Sequence, residues 1–214
     1  MVIVAAGSGT RLGAGGPKAL AEVAGRPMVA WSVAAAADAE AMVIATPPGH
    51  EVEIAAACGA GPRVVSGGDS RSRSVANALA AVATDLVLVH DAARPLVTAG
   101  LFAALEAGLR ADPHVDGLVA AAPVADTLKR ASEDLAVAET LSRDGLWAIQ
   151  TPQAFRTEVL RRALDVPGAV LAAATDDAAL VEAAGGTVRI HPYYEPNLKI
   201  TTAADMRLAE ALLG

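Results

Sequence analysis

Short apolar runs alternate with alanine-rich helical patterns along most of the chain. Apolar runs bounded by polar residues, glycine or proline are typical of buried strands, and apolar residues three or four apart are typical of helices. The strand pattern occurs at Val2–Ala5, Ala41–Thr46, Arg63–Ser66, Leu86–His90, Gly117–Ala121 and Thr187–His191. The helix pattern occurs at Met28–Ala37, Val52–Cys58, Ser74–Ala83, Leu101–Arg110, Thr157–Leu164, Ala178–Ala184 and Ala203–Leu213. Strands separated by crossover helices predict an α/β fold with a mostly parallel sheet and flanking helices.

One stretch, residues 124–145, breaks this rhythm. Apolar and polar residues alternate there on both sides of the acidic turn Ser132-Glu133-Asp134, which predicts a β-hairpin arm that projects from the sheet. An isolated two-stranded hairpin is marginally stable in water, so we expect the arm to pack against a second subunit. We therefore predict that residues 1–214 form a single domain, with 124–145 as a β-arm for dimerisation.

Composition and charge narrow the possible partners. The 214 residues are 53% hydrophobic and 3% aromatic, so the core must consist mainly of Ala, Val and Leu. The net charge of -7 argues against nucleic acid or an anionic membrane as a partner. A single cysteine, Cys58, fits a reducing compartment. Because no apolar run approaches the ~20 residues of a membrane span, and Met1 is not followed by a signal-peptide pattern, we expect a cytoplasmic protein.

A glycine-rich loop directly follows the first predicted strand. Residues 4–18 contain five glycines and just two charged residues, Arg11 and Lys18. Glycine has no Cβ, so a bulky anion can approach the backbone N–H groups of such a loop closely. The two cations complement a multiply charged ligand, for which a nucleoside triphosphate is the natural candidate.

Neither of two familiar glycine motifs fits this loop. In a P-loop, Ser or Thr follows the lysine, but Ala19 follows Lys18 here. The dinucleotide fingerprint requires one residue fewer between Gly9 and Gly13, which argues against a dinucleotide-dependent oxidoreductase. A plain strand-to-helix turn that binds nothing is the alternative to an anion-binding loop.

Polar residues follow two other predicted strands, and ligands of parallel sheets bind at the carboxyl ends of strands. Gly67 and Gly68 are followed, after Asp69, by hydroxyl and cationic residues at 70–74, which suits contacts to a nucleotide, although serines are also common helix N-caps. Asp91 either places a carboxylate near a phosphate-bound Mg²⁺ or caps the next loop. His90 is either a ligand or a partly buried histidine with satisfied hydrogen bonds.

Several motifs occur together and in order, and their combination resembles a known family. They are Ala5-Ala6-Gly7-x-Gly-x-Arg11, Pro17-Lys18, Gly67-Gly68-x-x-Arg71-x-x-Ser74-Val75, Val89-His90-Asp91-Ala92-Ala93-Arg94-Pro95, Asp126-Thr127-x-Lys129, Gln150-Thr151-Pro152-Gln153 and Lys199-Ile200-Thr201. The chain resembles the 2-C-methyl-D-erythritol 4-phosphate cytidylyltransferases of the non-mevalonate isoprenoid pathway, within the sugar-phosphate nucleotidyltransferase superfamily. The likeness runs from Val2 to Leu213. One departure is Ala19, where that family often has glutamine.

The resemblance implies a Rossmann-like core, a homodimer whose β-arms complete each other's substrate sites, and a set of residue roles. The nucleotide-binding residues would be Ala5, Ala6, Gly7, Ser8, Gly9, Gly67, Asp69, Ser74 and Ala92. The substrate-binding residues would be Asp91, Arg94, Thr127, Arg143, Thr151 and Lys199. The catalytic residues would be Arg11, Lys18 and Lys199, with Mg²⁺ or a similar divalent cation near Asp91.

The implied reaction transfers CMP from CTP to a sugar phosphate and releases pyrophosphate. A phosphate monoester has a second pKa of about 6, so the nucleophile is already mostly dianionic near neutrality and needs no protein base. Cations in a cleft then act by positioning and electrostatic stabilisation. Two alternatives remain at this point: a cytidylyltransferase for ribitol 5-phosphate or another polyol phosphate, and a non-catalytic nucleotide-binding subunit.

Overall fold

A central mixed sheet organises the protein. The structure, a computed structural model, describes residues 1–7, 9 and 16–214. The strands are numbered in chain order. Across the sheet they lie in the order β11 (Val188–Pro192), β7 (Gly117–Pro123), β10 (Trp147–Arg156), β6 (Leu86–Asp91), β1 (Val2–Val4), β4 (Val43–Thr46) and β5 (Arg63–Ser66). The α/β class predicted from the sequence is confirmed.

Strand β10 is the part of the sheet that sequence patterns missed. It runs antiparallel between β6 and β7, whereas the other neighbouring strands of this sheet are parallel. Pro152 lies inside β10, and the pairing with β7 shifts register between Ile149 and Gln153. A proline cannot donate to a strand ladder, so its presence in the middle of this segment favoured a loop over a strand.

Helices cover both faces of the sheet. Apolar residues of α1 (Met28–Ala35), α2 (Glu51–Cys58) and α4 (Ala99–Ala111) pack on one face. Those of α3 (Arg71–Leu79), α5 (Thr157–Leu164), α6 (Gly168–Ala173) and α7 (Asp177–Ala183) pack on the other. A third cluster joins α8 (Ala203–Leu213) to a small hairpin of β2 (Glu22–Val23) and β3 (Arg26–Pro27), which follows a 3-10 turn at Lys18–Leu20. Helix α6 and this hairpin were not predicted.

The alternation of side chains along β6 determines where its last two residues lie. All six residues of this strand are buried. Leu86 and Leu88 pack on the α4 face, whereas Val87 and Val89 pack on the α3 and α7 face. Because strand side chains alternate with a period of two, His90 follows Leu88 and meets Phe102 of α4 edge to face, at 5.3 Å between ring centroids. Asp91 therefore follows Val89 toward α3 and α7.

The predicted hairpin arm is present as β8 (Leu128–Ala131) paired antiparallel with β9 (Val137–Leu141). Every residue between Leu128 and Leu141 is exposed, and the apolar side chains of Leu135 and Val137 are 83% and 62% exposed. The arm thus carries apolar surface that packing within this chain does not bury.

Among residues 1–7, 9 and 16–214, no helix is long and apolar enough to span a membrane.

Phe155 provides a test of the packing around β10. Its side chain is fully buried, and its ring occupies the space above Gly117, where an added Cβ would lie 2.8 Å from the ring. We expect Phe155→Ala to lower the free energy of unfolding by about 3–5 kcal/mol, because it leaves a cavity beside the central strands. Urea denaturation measures this. Ile190→Ala, which truncates a 38% exposed side chain on edge strand β11, serves as the control and should cost clearly less.

Candidate active site

A cavity of about 500 Å³ opens at the carboxyl ends of β1 and β6. Ten of the residues predicted to bind or act on ligand line it: Ala5, Ala6, Gly7, Gly9, Lys18, Asp69, Ser74, Asp91, Ala92 and Lys199. The glycine loop, the start of α3, the end of β6 and the segment before α8 therefore meet in one place. Ser8 and Arg11 lie outside the described residues.

Two glycines allow the backbone to approach closely around this cavity. Gly9 has a φ of +71°, a left-handed conformation that favours glycine, and a Cβ there would lie 3.1 Å from the carbonyl oxygen of Gly16. Gly67 is buried next to the cavity, and a Cβ there would lie 2.8 Å from the Ala6 Cβ and 3.0 Å from the carbonyl oxygen of Thr46. Side chains at these positions would push the glycine loop and the β5–α3 turn apart.

Two lysines from distant parts of the chain line the cavity. The Lys18 ammonium donates to the backbone carbonyl of Ile200, and the neighbouring Lys199 ammonium donates to Asp91 Oδ2 at 2.7 Å. Lys18 begins the 3-10 turn after the glycine loop, whereas Lys199 lies in the segment that leads into α8. The cavity thus combines backbone N–H groups of a glycine loop with cationic side chains, a combination that suits a polyphosphate.

Asp91 is the electrostatic centre of the site. Its carboxylate is 8% exposed and accepts hydrogen bonds from Arg71 Nε at 2.9 Å and from Lys199 at 2.7 Å. Burial by itself would raise the pKa of this carboxyl, but the charges and hydrogen bonds of Arg71 and Lys199 outweigh it and hold the pKa of Asp91 far below its ordinary value. Asp91 is consequently ionised at every pH at which the protein would work.

Arg71 and Asp177 form a connection that sequence reasoning did not assign. Arg71 Nη1 donates to Asp177 Oδ2 at 2.6 Å while its Nε holds Asp91, so one guanidinium joins two carboxylates. Asp177 is fully buried at the start of α7, and burial raises its pKa while Arg71 opposes that shift. Arg71 belongs to a motif of the family resemblance, but Asp177 belongs to none of those motifs and lies in the first turn of α7, directly after the N-cap Asp176.

His90 supports the opposite side of the same strand end. Its Nδ1 lies 3.2 Å from the Thr151 hydroxyl and its Nε2 lies 3.2 Å from the carbonyl oxygen of Arg94. The Thr151 hydroxyl also accepts from the backbone N–H of Asp91 at 3.0 Å. Thr151 is buried and does not line the cavity, so its hydroxyl secures the backbone at Asp91 from behind.

Arg94 and Asn197 connect the end of β6 to the segment that carries Lys199. Arg94 Nη1 donates to the carbonyl oxygen of Asn197 at 2.6 Å, and the Asn197 amide donates to Gln150 Oε1 and to the carbonyl oxygen of Thr151. Arg94, like Thr151, lies outside the cavity lining. These bonds hold the segment before Lys199 against β10, which fixes the point from which that lysine reaches Asp91.

The predicted residues of the arm lie apart from the cavity. Thr127 and Arg143 are exposed, and the Arg143 guanidinium donates to the carbonyl oxygen of Ala125 within the arm. Neither residue lines the cavity of its own chain. Within one subunit, therefore, the structure brings together the loop and strand-end residues of the predicted site but not the arm residues.

The carboxylates of the cavity suit a divalent cation that is held mainly by the phosphates of a bound substrate. Asp69, which is exposed, and Asp91, which is buried, are the two acids among its described lining residues. No cluster of three or more His, Cys, Asp or Glu that could hold a metal occurs in the described part of the chain. Mg²⁺ commonly binds through one or two carboxylates together with substrate phosphates and water. The donor set fits such a shared site rather than an all-protein cage.

Comparison with known proteins gave consistent matches over the whole chain. The model of the family described as IspD, 2-C-methyl-D-erythritol 4-phosphate cytidylyltransferase, matches residues 1–214. A curated cytidylyltransferase of that name from Deinococcus radiodurans is 45% identical over 100% of this chain and 88% of its own length. One from Synechocystis is 38% identical, over 100% and 96%. The crystal structure of the enzyme from Thermus thermophilus superposes with a TM-score of 0.83 at 38% identity, covering 99% and 97% of the two chains.

The sheet and the polyphosphate-type cavity at its carboxyl edge define an α/β enzyme of the nucleotidyltransferase class. Within that class, the match along residues 1–214 decides the family. The chain belongs to the 2-C-methyl-D-erythritol 4-phosphate cytidylyltransferases. The resemblance noted from the motifs is therefore confirmed.

His90 makes stability depend on pH in a predictable direction. Burial lowers the pKa of His90 from 6.5 to about 4, so the unfolded chain takes up a proton at a pH where the folded protein does not. The free energy of unfolding should therefore fall as pH drops from 6.5 toward 4. Between about pH 7.5 and about pH 5, we expect the free energy of unfolding of His90→Gln to fall by about 2 kcal/mol less than that of the parent.

Denaturation at the two pH values compares the parent and the variant. His114→Gln, at an exposed position, is the matched control and should keep the pH dependence of the parent. An identical pH dependence for the parent and His90→Gln would show that His90 is not held neutral.

Proposed function

We propose that this protein transfers the CMP group of CTP to 2-C-methyl-D-erythritol 4-phosphate and releases pyrophosphate, in the synthesis of isoprenoid precursors. The observation that carries the proposal is the cavity in which the glycine loop, Lys18 and Lys199 surround Asp91, in a chain that belongs to this family over its whole length. CTP and a sugar phosphate are the substrates that fit the family.

The transfer makes and breaks one bond to phosphorus. An oxygen of the acceptor's phosphate monoester bonds to the α-phosphorus of CTP, while the bond from that phosphorus to the pyrophosphate oxygen breaks. With a second pKa of about 6, the acceptor phosphate is already a nucleophile near neutrality. The chain's task is to bring two anions together and to stabilise negative charge on the α-phosphoryl group and on the departing pyrophosphate.

Lys18 and Lys199 are the described residues best placed for that task. Both line the cavity, and the Lys18 ammonium donates to the carbonyl oxygen of Ile200, the residue that follows Lys199. Lys199 is 42% exposed and can turn from Asp91 toward a phosphate. Arg11 is proposed as a third cation from its sequence position between the glycines.

The roles proposed for the remaining residues follow their positions. The backbone at Ala5, Ala6, Gly7, Ser8 and Gly9, together with Gly67, Asp69, Ser74 and Ala92, would bind the nucleotide. Asp91 would contact the acceptor or the metal at the end of β6. Arg94 and Thr151 lie behind the cavity, so they would act on the acceptor indirectly. Arg94 bonds to the backbone of Asn197, and Thr151 bonds to the backbone of Asp91.

Enzymes of this family use divalent cations. We propose Mg²⁺ here, bound chiefly by the triphosphate with Asp69 or Asp91 as the protein ligand. When bound, it would neutralise phosphate charge and favour the departure of pyrophosphate.

We also propose that residues 1–214 are one domain and that residues 124–145 form the interface of a homodimer. The exposed apolar residues Leu135 and Val137 support this, because a partner surface would remove them from water. Thr127 and Arg143 would then reach the cavity of the opposite subunit. A location in the cytoplasm stays a prediction from the sequence.

The substrate assignment is tested by pyrophosphate release. Each of the four nucleoside triphosphates is supplied with 2-C-methyl-D-erythritol 4-phosphate or with ribitol 5-phosphate, with Mg²⁺ and with excess EDTA. We expect release with CTP and the methylerythritol phosphate, and its loss in EDTA. Preference for ribitol 5-phosphate would reassign the acceptor, and binding of CTP without release under any condition would indicate a non-catalytic nucleotide-binding subunit.

We expect Lys18→Ala and Lys199→Ala each to lower kcat/KM by roughly a hundred- to thousandfold, since each removes a cation that stabilises developing charge. Arg11→Ala should act in the same direction. The control is Arg63→Ala, which removes one positive charge at the amino end of β5, on the opposite edge of the sheet. If the lysine variants stay as active as the Arg63 variant, the assignment of the cavity is wrong.

Mixing two inactive variants tests the shared site. Lys18→Ala damages the cavity and Arg143→Ala damages the arm. In a heterodimer of the two, one site carries both defects and the other carries neither, so activity should return toward half of the parent value. Differently tagged chains, co-expressed and purified through both tags, provide the heterodimer.

Two results would refute this arrangement. One is a monomer by light scattering, and the other is a verified heterodimer that stays inactive. Two differently tagged Lys18→Ala chains serve as the control and should not recover.

A further inference from the structure

The cluster beneath the cavity contains four charged groups with unequal freedom to move. Arg71 contacts both Asp91 and Asp177, at 2.9 Å and 2.6 Å, and its side chain is 24% exposed. Lys199 contacts Asp91 at 2.7 Å, and its side chain is 42% exposed. Asp177 is fully buried and does not line the cavity. Both side chains line the cavity, but the guanidinium is held by two carboxylates, whereas the more exposed ammonium contacts one.

This inequality matters when an anion enters. Incoming phosphates attract both cations, and whichever cation leaves Asp91 weakens the neutralisation of that carboxylate. If Arg71 also turned to the phosphates, Asp91 would face them as a bare negative charge. The second contact to Asp177 opposes that movement, because leaving it would abandon a carboxylate buried away from water, which is costly.

We propose that Asp177 is a positioning residue of the transfer reaction: it keeps Arg71 on Asp91, so that Lys199 is the cation that exchanges from Asp91 to the substrate phosphates. The inference rests on the proposed function, since it assigns a task to residues around the same cavity. Asp177 itself touches no substrate. Burial raises the pKa of Asp177, and the contact with Arg71 favours its ionised form.

The proposal predicts opposite effects on turnover and on nucleotide binding. In Asp177→Asn, Arg71 keeps its charge, but its second anchor becomes a neutral amide that holds it less strongly, and a negative charge beneath a polyanion site disappears. We expect kcat to fall roughly 10- to 100-fold, because reacting groups that are misplaced by about 1 Å lose that much. The KM for CTP and its Kd by calorimetry without acceptor should stay the same or decrease. A residue that merely supported the fold would weaken binding along with turnover.

Asp176→Asn is the matched control, because it removes the neighbouring carboxylate at the start of the same helix. Asp176 caps α7 and accepts from Gln153 at 2.8 Å, but it does not contact Arg71. Its loss should lower the thermal midpoint while kcat stays close to that of the parent. Equal losses of kcat in the two variants would overturn the proposal.

Arg71→Lys tests the same step without changing Asp177. A lysine has one ammonium on a flexible stem and cannot reproduce the fork that joins two carboxylates. We expect the same lower kcat with no rise in the KM for CTP, and this variant carries the test should Asp177→Asn fail to fold. In the double variant Asp177→Asn/Arg71→Lys, the loss of kcat should be no larger than in Arg71→Lys alone, since both changes break one connection.

Two outcomes would contradict the inference: additive losses in the double variant, or a KM for CTP that rises in step with the loss of kcat.

The activity of the parent protein shows whether the proposed function itself has failed. If the parent transfers CMP to ribitol 5-phosphate instead, the proposed acceptor is wrong, but the Asp177 series is measured with ribitol 5-phosphate and keeps its meaning. If the parent releases no pyrophosphate, the proposed function fails. The inference is then tested by the calorimetry of CTP binding alone. Weaker binding of CTP by Asp177→Asn than by the parent overturns it.

Discussion

The neutralisation of Asp91 is the interaction on which the rest of the site depends. An anion-binding cavity with a bare carboxylate in its wall would repel its ligand, since two unit charges 4 Å apart interact by about 4 kcal/mol at an effective dielectric constant of 20. Arg71 and Lys199 remove that repulsion by contacting both carboxylate oxygens. They come from distant parts of the chain, so the ion pairs also join α3 and the segment before α8 to the end of β6.

The two faces of the sheet secure this strand end by different means. On the α4 face, the neutral imidazole of His90 and the Thr151 hydroxyl hold the backbone of Asp91 through hydrogen bonds. On the α3 and α7 face, Arg71 holds the Asp91 side chain through charge, and Asp177 holds Arg71. The backbone position of Asp91 is thus set by buried neutral groups, and its charge is balanced by Arg71, which two carboxylates hold, and by the more exposed Lys199. This division leaves a rigid frame around groups that have to respond to ligand.

Local sequence patterns predicted those elements in which the spacing of apolar residues and the residues at the ends indicate the same structure. The helix pattern at Ala203–Leu213 corresponds to α8, which begins with a capping box at Thr202 and Asp205, and the alternation on both sides of the acidic turn corresponds to the β8–β9 arm. The pattern failed at β10, because Pro152 and the register shift around it belong to a strand held by neighbours on both sides. It also missed the six-residue helix α6, which is too short for a helical period to be read.

The sequence by itself determined the α/β class, the family and most of the described residues that line the cavity, because these depend on short-range patterns and motifs. Only the tertiary structure decided which charged groups meet. Arg71 and Asp177 are separated by 106 positions and come together because α3 and α7 pack on the same face of the sheet. Likewise, only the packing of β10 against β6 shows that Thr151 lies behind Asp91 instead of in the cavity. A sequence pattern reveals which face a residue takes, but a contact requires that two elements be placed against each other, and that placement depends on the whole core.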